Sequence, residues 1–439
     1  MFARQLVALI VACLSVSAQA ATRTWQFDLK TPGTYEVHVQ HLIKSVVVPR
    51  GIEATYSFQT REKTLTRDLP FYPKDNEHPV IVLIADITSP QTARVVITGL
   101  PSPLLQQTRV YVIDGNSRYP YEWFDPGKSV DLESAKRLRT ILQQPEQEID
   151  LAQTKLTIDK MIDSTADVEA GLKKIDAMVA QIKAMPGFGV SKSANLLALK
   201  RYIYEPGEWN NYQPYQYDLA DPLGTSIRNK LLPHYLTLKK GNCVTMPLLF
   251  IILGQRLGLD VTAATAPLHI LVKFKDETGT TYNLETTSGA NPARDVWYRQ
   301  QMPMTDEAIT NGVYLQPLTR KETVALMATT LAEYYVEQQE FEKAITLSDL
   351  TLEYYPKNAE AMVRKASACY RLLEKYYFSK YRSPNDIPDR AKGHFEYLSR
   401  NNLQGFAKAE ALGWREPSKE EDEKYLQRIK QAHQNEAVN

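Results

Sequence analysis

The sequence predicts a multidomain α+β protein: an antiparallel β-sandwich over residues 22–115, an α+β domain over 130–318 and a helical segment over 319–439. Apolar residues alternate in the first region, follow a helical period from about residue 130, alternate again between 260 and 285, and return to a helical period after 319. A chain of 439 residues is also long enough for about three domains of roughly 150 residues each.

The charge balance excludes one class of partner. The chain has 52 Lys and Arg residues against 51 Asp and Glu residues, and no long block of one sign. A nucleic-acid-binding protein would show a basic excess or a basic patch in its sequence, so we expect no nucleic-acid partner. The histidines do not have the spacing to Cys, Asp or Glu that metal sites use, so we expect neither a metal nor a cofactor.

Residues 1–20 have the features of a secretory signal peptide. Arg4 precedes an apolar run at 6–16, and an A-x-A pattern follows at 18–20. We therefore expect a periplasmic or secreted protein that begins near Ala21 and contains no membrane span. A lipoprotein signal ending at Cys13 is the alternative, but it leaves only residues 5–9 before the lipobox.

Short strands separated by turn residues dominate residues 22–115. Tyr35, Val37 and Val39 alternate along one strand, and further strands are predicted at 80–86, 93–99 and 108–114. The pattern predicts a small β-sandwich. It loosely resembles carbohydrate-binding sandwiches at 33–39 and 96–100, although a packing or spacer domain has the same pattern.

Two helical segments follow. Leu172, Ile175, Val179 and Ile182 form the apolar stripe of an amphipathic helix in a region that runs from about 130 to 185 and stops at a Pro-Gly step. A second helix is predicted at 194–204. An aromatic loop rich in Asn and Gln comes next, at 209–218, and we expect it to pack against the region that follows.

Cys243 stands at the start of another predicted helix. The apolar residues Met246, Leu249, Phe250, Leu253 and Leu257 follow it at helical spacing, and Gly258 stands at the C′ position. We therefore expect Cys243 in the first turn, where free N–H groups and the helix dipole favour a thiolate. Gly241 is expected to let the chain enter the helix sharply.

A histidine and two polar residues lie on the strands that follow. His269 begins a strand at 269–274, and Asn283 and Glu285 share one face of the next strand, since side chains repeat every two residues. Acyl transfer needs a thiolate, an imidazole that moves the proton, and an acceptor that fixes the imidazole tautomer. Cys243, His269 and Glu285 supply these three groups.

The same segments resemble the transglutaminase-like superfamily, which has a papain-like fold, and more closely its bacterial SirB-type group. The resemblance covers residues 149–289. Its motifs are IDL at 149–151, the helix at 168–185, LKRYIY at 199–204, YDLADP at 217–222, GNC at 241–243, RLGLDV at 256–261, PLHILV at 267–272 and NLETTSG at 283–289. It implies a Cys243 nucleophile, a His269 base and an acid at Glu285.

The chain departs from this pattern at one position and keeps it at another. Many SirB-type members lack the cysteine, whereas Cys243 and His269 are both present here, which favours activity. The usual third residue is Asp before Pro, but here Glu285 precedes Thr286, and Asn283 on the same strand face is the alternative.

Stabilising the oxyanion of the reaction requires hydrogen-bond donors near the nucleophile. The Cys243 backbone N–H is the natural first donor. Gln213, Asn242 and Tyr235 are the candidates for a second donor, and the sequence leaves the choice open.

The region after 319 matches a tetratricopeptide repeat. When Pro356 closes a repeat of about 34 residues, the packing positions fall on small and apolar side chains, namely Leu331, Ala332, Tyr335 and Ala344. A second repeat near 359 is interrupted by a polar insert at 380–392. Since fewer than three repeats rarely stand alone, we expect these helices to stack on the central domain, with Cys369 in their core.

Together these patterns predict an exported cysteine peptidase, amidase or transglutaminase-like acyltransferase that acts on a peptide or amide bond through a Cys243 thioester. The expected substrate is a peptide or protein, either free or associated with the cell wall, and water is the expected acyl acceptor. The alternative is a catalytically inactive fold that serves as a protein-binding or cell-wall-binding scaffold through its repeat helices and its sandwich.

Overall fold

The computed structural model describes residues 20–30, 32–41, 52–70, 80–114, 132–222 and 224–421, together with 423, 424 and 427. The predicted signal peptide therefore lies outside the described residues, except for Ala20. The chain forms two compact units, one of Met1–Asp125 with Glu374–Phe395 and one of Pro126–Leu373 with Glu396–Asn439. Among the described residues, no helix has the length and apolar character needed to cross a membrane.

Two antiparallel sheets make up most of the first unit. Their strands are β1 (Ala20–Leu29), β2 (Gly33–His41), β3 (Glu53–Gln59), β4 (Thr64–Pro70), β5 (Val80–Ile87), β6 (Gln91–Pro101) and β7 (Thr108–Asp114), with a short helix α1 (Ser102–Gln106) before β7. One sheet has the order β1-β6-β3-β4 and the other β5-β2-β7. Alternate apolar side chains from both sheets, such as Val37, Phe58 and Ile97, share one buried cluster.

The segment Glu374–Phe395 also belongs to the first unit, although it lies far along the chain. The hydroxyl of Tyr381 donates a hydrogen bond of 3.2 Å to Oε1 of Glu36, a β2 carboxylate that is 0% exposed. Arg67 on β4 forms an ion pair of 3.0 Å with Asp386. The polar insert predicted at 380–392 therefore packs with the sheets of this unit.

The second unit begins with helices. They are α2 (Glu133–Leu142), α3 (Leu151–Ile162), α4 (Val168–Lys183), α5 (Lys192–Tyr204), α6 (Leu232–Leu238) and α7 (Thr245–Arg256). The region predicted as helical from 130 to 185 is thus divided into three helices, and Asp150 and Asp167 cap the second and third by accepting N–H groups of the first turn. Helix α7 is buried from Thr245 to Gly254, as expected of a helix that is apolar on all sides.

A four-stranded antiparallel sheet packs against α7. Its strands are β10 (Asp260–Ala266), β11 (His269–Lys275), β12 (Thr281–Glu285) and β13 (Asn291–Ala293), in that order, and a separate parallel pair is formed by β8 (Gln216–Tyr217) and β9 (Lys240–Gly241). Ala266 pairs with His269, so β10 and β11 are joined by a turn of two residues. This tight turn places His269 at the very start of β11.

The remaining helices are α8 (Asp295–Gln301), α9 (Asp306–Thr310), α10 (Arg320–Glu337), α11 (Phe341–Tyr354), α12 (Ala359–Leu373) and α13 (Asp389–Ala411). Helix α10 packs against α11 and against α3, and α11 packs against α12. Leu331, Ala332 and Ala344 are buried, and Cys369 is buried on α12. The apolar residues of α10 and α11 belong to the same buried cluster as those of α7.

Candidate active site

Cys243 lies in the turn between β9 and α7, two residues before the helix begins. We expected it in the first turn of the helix. The regular helix starts later because Pro247 has no N–H to donate to the Cys243 carbonyl, and Oδ1 of Asn242 caps this start by accepting the N–H groups of Val244 at 3.0 Å and Thr245 at 3.2 Å. Cys243 is 7% exposed, and its thiol donates a hydrogen bond of 3.5 Å to the carbonyl of Leu268.

Gly241 is required for close packing. A Cβ atom at this position would lie 2.5 Å from the ring of Tyr235 and 2.8 Å from Oγ1 of Thr245. Gly241 also pairs with Tyr217 in the parallel β8–β9 ladder. The structural reason for this glycine is therefore the approach of Tyr235 and Thr245 rather than the sharp entry into the helix that we expected.

His269 and Glu285 are in direct contact. The β11–β12 register pairs Val272 with Leu284, so His269 and Glu285 lie on the same face of the sheet in diagonal positions, which long side chains can bridge. Nε2 of His269 lies 2.8 Å from Oε2 of Glu285. His269 is 6% exposed and Glu285 is 7% exposed, so the pair is shielded from water.

The environment favours the charged forms of both groups. Burial alone lowers the pKa of His269, but the charge of Glu285 and a contact with the Cys243 thiol raise it to about 10. Burial raises the pKa of Glu285, but His269 and the hydrogen bonds from Thr287 outweigh this and lower it. We therefore assign an imidazolium and a carboxylate to this pair at neutral pH.

The second ring nitrogen of His269 is available for proton transfer. Nδ1 is buried and has no hydrogen-bond partner within the described part of the chain. Since Nε2 is bonded to Glu285, Nδ1 is the nitrogen left for the Cys243 thiol, which lies close enough to raise the pKa of His269.

Glu285 accepts hydrogen bonds on both carboxylate oxygens. Oε2 accepts the Tyr298 hydroxyl at 3.0 Å in addition to His269. Oε1 accepts the Thr287 N–H at 3.1 Å and the Thr287 hydroxyl at 2.5 Å. Neither Tyr298 nor Thr287 was predicted from the sequence. Thr287 follows an acidic residue at a strand end, which is the pattern of a side-chain cap, whereas Tyr298 carries no comparable signal.

Asn283 does not contact His269. Its Nδ2 donates to the carbonyl of Ala293 at 3.0 Å and to Oδ1 of Asp295 at 2.6 Å. Glu285, rather than Asn283, is therefore the side chain that the structure brings to the imidazole.

The Cys243 backbone N–H donates no hydrogen bond within the described residues, so it is free to bind an oxyanion. The three candidates for a second donor are less well placed. Asn242 is occupied, because its Nδ2 donates to the Asn229 carbonyl at 3.1 Å while its Oδ1 caps α7. Tyr235 is buried with its ring 5.2 Å from that of Tyr215, and Gln213 is exposed.

Tyr217 is a further neighbour of the thiol that the sequence analysis left without a role. Burial is the largest cause that raises the pKa of the Tyr217 hydroxyl, and the charges of Cys243 and Glu285 raise it further. That hydroxyl donates to the carbonyl of Pro222 at 2.5 Å. Across the described residues, no three His, Cys, Asp or Glu side chains are grouped closely enough to hold a metal ion.

Comparison with known proteins agrees with the motif analysis. Residues 169–329 match the family model described as the transglutaminase-like superfamily, and this segment contains Cys243, His269 and Glu285. A "UPF0162 protein" of Xylella fastidiosa is 22% identical over 223 residues, covering 48% of this chain and 75% of the relative. A "UPF0162 protein" of Buchnera aphidicola is 21% identical over 203 residues, covering 46% of this chain and 72% of the relative. No solved structure matches the chain at a significant level. The protein therefore contains a transglutaminase-like superfamily domain, matched over residues 169–329.

Proposed function

We propose that the protein is a cysteine hydrolase or acyltransferase that cleaves a peptide or amide bond through a thioester on Cys243. The observation that carries the proposal is the buried His269–Glu285 pair, with Nδ1 of the imidazole unpartnered among the described residues and close to the thiol. An inert cysteine has no need of a buried imidazole held in one orientation by a carboxylate.

In the proposed reaction the Cys243 thiolate attacks the carbonyl carbon of the substrate. The developing oxyanion is stabilised by the Cys243 N–H, and His269 donates a proton from Nδ1 to the leaving amine as the C–N bond breaks. Water then attacks the thioester, His269 accepts its proton, and the C–S bond breaks to release the acid product and restore the Cys243 thiolate beside the imidazolium. Throughout the cycle Glu285 keeps its charge and holds Nε2.

We favour hydrolysis over transfer to an amine, because water is abundant and no feature of the described residues indicates a site for an amine acceptor. The proposed substrate is a peptide or protein, and a substrate associated with the cell wall fits a periplasmic or secreted enzyme. The N-terminal sequence pattern supports this location.

The second candidate function is a non-catalytic scaffold. The low exposure of Cys243, His269 and Glu285 favours it, because a substrate carbonyl has to reach the sulfur. In that case α10 to α12 would act as tetratricopeptide-like helices and bind a protein partner, and the two sheets of the first unit would act as a β-sandwich that attaches to a glycan or serves as a spacer. The presence of both Cys243 and His269 is the feature that favours the enzymatic function over the scaffold.

Thiol chemistry tests the proposal without knowledge of the natural substrate. We expect iodoacetamide to alkylate Cys243 in the folded protein at neutral pH faster than a free model thiol. Cys369 is the internal control, because burial raises the pKa of its thiol to about 12. Acylation by p-nitrophenyl acetate is expected to release a burst of p-nitrophenol and to leave an acetyl group on Cys243, and Cys243→Ala is expected to lose the burst. Equal alkylation of Cys243 and a model thiol, or an undiminished burst in Cys243→Ala, would refute the enzyme.

A further inference from the structure

We infer that Tyr298 is a positioning residue for the reaction, because its hydroxyl holds the Glu285 carboxylate in the orientation that meets His269. This inference rests on the proposed function, since it assigns Tyr298 to the same site. Tyr298 lies on α8, outside the hairpin that carries His269 and Glu285.

The geometry places Tyr298 against both members of the pair. Its hydroxyl donates to Oε2 of Glu285 at 3.0 Å, the same oxygen that His269 contacts at 2.8 Å. Its ring centre lies 6.2 Å from that of the imidazole. Tyr298 is 0% exposed, and Trp297 packs edge-on against its ring at 4.9 Å, so the hydroxyl is held in place.

A glutamate at this position needs additional hydrogen bonds to fix the orientation of its carboxylate more than an aspartate does. Glu285 has one more rotatable bond than the aspartate that usually occupies this place in the resembled superfamily, and its terminal torsion is broad, with no strong preferred well. Thr287 fixes Oε1 through its N–H and hydroxyl, and Tyr298 fixes Oε2. The four donors together leave one orientation in which Oε2 faces Nε2 of His269.

The hydroxyl of Tyr298 can be removed without removing the ring. In Tyr298→Phe, Oε2 of Glu285 keeps its hydrogen bond to His269, so no buried carboxylate oxygen is left without a donor and the fold is expected to hold. The matched control is Tyr202→Phe, because the Tyr202 hydroxyl also donates to a side-chain oxygen, that of Gln181, at 2.8 Å. Thermal unfolding of both variants checks the fold.

Two readouts report orientation rather than stability. With ¹⁵N-labelled histidine, NMR measures the solvent exchange rate of the His269 Nε2 proton, which we expect to rise at least tenfold in Tyr298→Phe. The rate constant of Cys243 alkylation at neutral pH is expected to fall about tenfold in the same variant. Tyr202→Phe is expected to leave both quantities at their wild-type values.

The outcomes separate this inference from the proposed function. If wild-type Cys243 is activated and Tyr298→Phe changes neither the exchange rate of the Nε2 proton nor the alkylation rate, the positioning role is overturned while the proposed enzymatic function stands. If wild-type Cys243 is unreactive but the Nε2 proton of His269 still exchanges faster in Tyr298→Phe than in the wild type, the proposed enzymatic function is refuted and the positioning of Glu285 by Tyr298 stands. Equal changes in Tyr298→Phe and Tyr202→Phe indicate a general loosening of the domain and also overturn the inference.

Discussion

Glu285→Gln keeps the shape of the side chain and removes its charge. In the wild type, the Glu285 charge overcomes burial and raises the pKa of His269 from 6.5 to about 10. Without that charge burial dominates, so we expect the pKa of His269 to fall below 6.5. The proton affinity of the imidazole should therefore change by a factor on the order of a thousand or more.

The assay is an NMR titration of ¹⁵N-labelled His269 from pH 5 to pH 11. The wild-type imidazole is expected to remain protonated until the pH approaches 10, whereas the variant imidazole is neutral at pH 7. Glu277→Gln is the matched control, because Glu277 is an exposed carboxylate in the β11–β12 turn and bonds to Ser193 at 2.9 Å. Titration of wild-type His269 near 6.5, or an unchanged high value in Glu285→Gln, would show that the pair does not act as described.

The same substitution has a defined effect on stability. The pKa of His269 is raised on folding, so its contribution is complete below about pH 6.5 and is lost as the pH rises through about 10. The pKa of Glu285 is lowered from 4.5, so its contribution is present above about pH 4.5 and is lost as the pH falls through the lower value. Urea unfolding near pH 6 should show that Glu285→Gln is less stable by about 3 to 5 kcal/mol. This deficit should shrink towards pH 10.

Three further substitutions test packing, capping and burial by urea unfolding. Gly241→Ala is expected to lose about 1 to 3 kcal/mol of unfolding free energy, because its Cβ would meet the Tyr235 ring at 2.5 Å. The control is Gly393→Ala, which has no atom within 4 Å of the added Cβ and should be neutral or stabilising. An equal loss in both variants would contradict the steric argument. Asn242→Ala removes the cap of α7 and is expected to cost about 1 to 2 kcal/mol, so an unchanged unfolding midpoint would rule the cap out as a source of stability. Lys155→Met leaves the buried carboxyl of Asp159 without its cation and is expected to cost about 3 to 5 kcal/mol. Adding Asp159→Leu should restore most of this loss, and a double variant no more stable than the single one would refute the argument.

Local periodicity was enough to predict the helix and strands that carry the candidate site. The apolar spacing after Cys243 and the glycine at 258 marked the helix, and Gly258 has φ +76 with the Leu259 N–H bonded to the Gly254 carbonyl at 2.9 Å. The alternation of side chains along two adjacent strands was enough to place Glu285 on the face of His269. These features depend only on residues close together in the chain or paired across one hairpin.

Contacts between distant segments were not predictable in this way. The side chains of Asn242 and Glu285 each accept the backbone N–H two residues later in the chain, yet only Glu285 also contacts an imidazole. Tyr298 reaches Glu285 from a helix whose sequence shows only that it contains aromatic residues. The polar insert at 380–392 is recognisable in the sequence as a break in the predicted repeat, but its packing with Glu36 and Arg67 depends on tertiary structure alone.

The first unit consists of two segments that are far apart in the chain, and this constrains the order in which the protein can fold. Its strands are made early in synthesis, but Tyr381, which donates to the buried carboxylate of Glu36, is made only after residues 126–373 of the second unit. The last contacts of the first unit must therefore wait until nearly the whole chain has emerged, and contacts so distant in sequence form slowly. A chain truncated at residue 373 would make every strand of the two sheets and still lack the hydrogen bond from Tyr381. The N-terminal unit therefore cannot complete its fold until residues 374–395 have been made, although its strands are the first part of the chain to emerge.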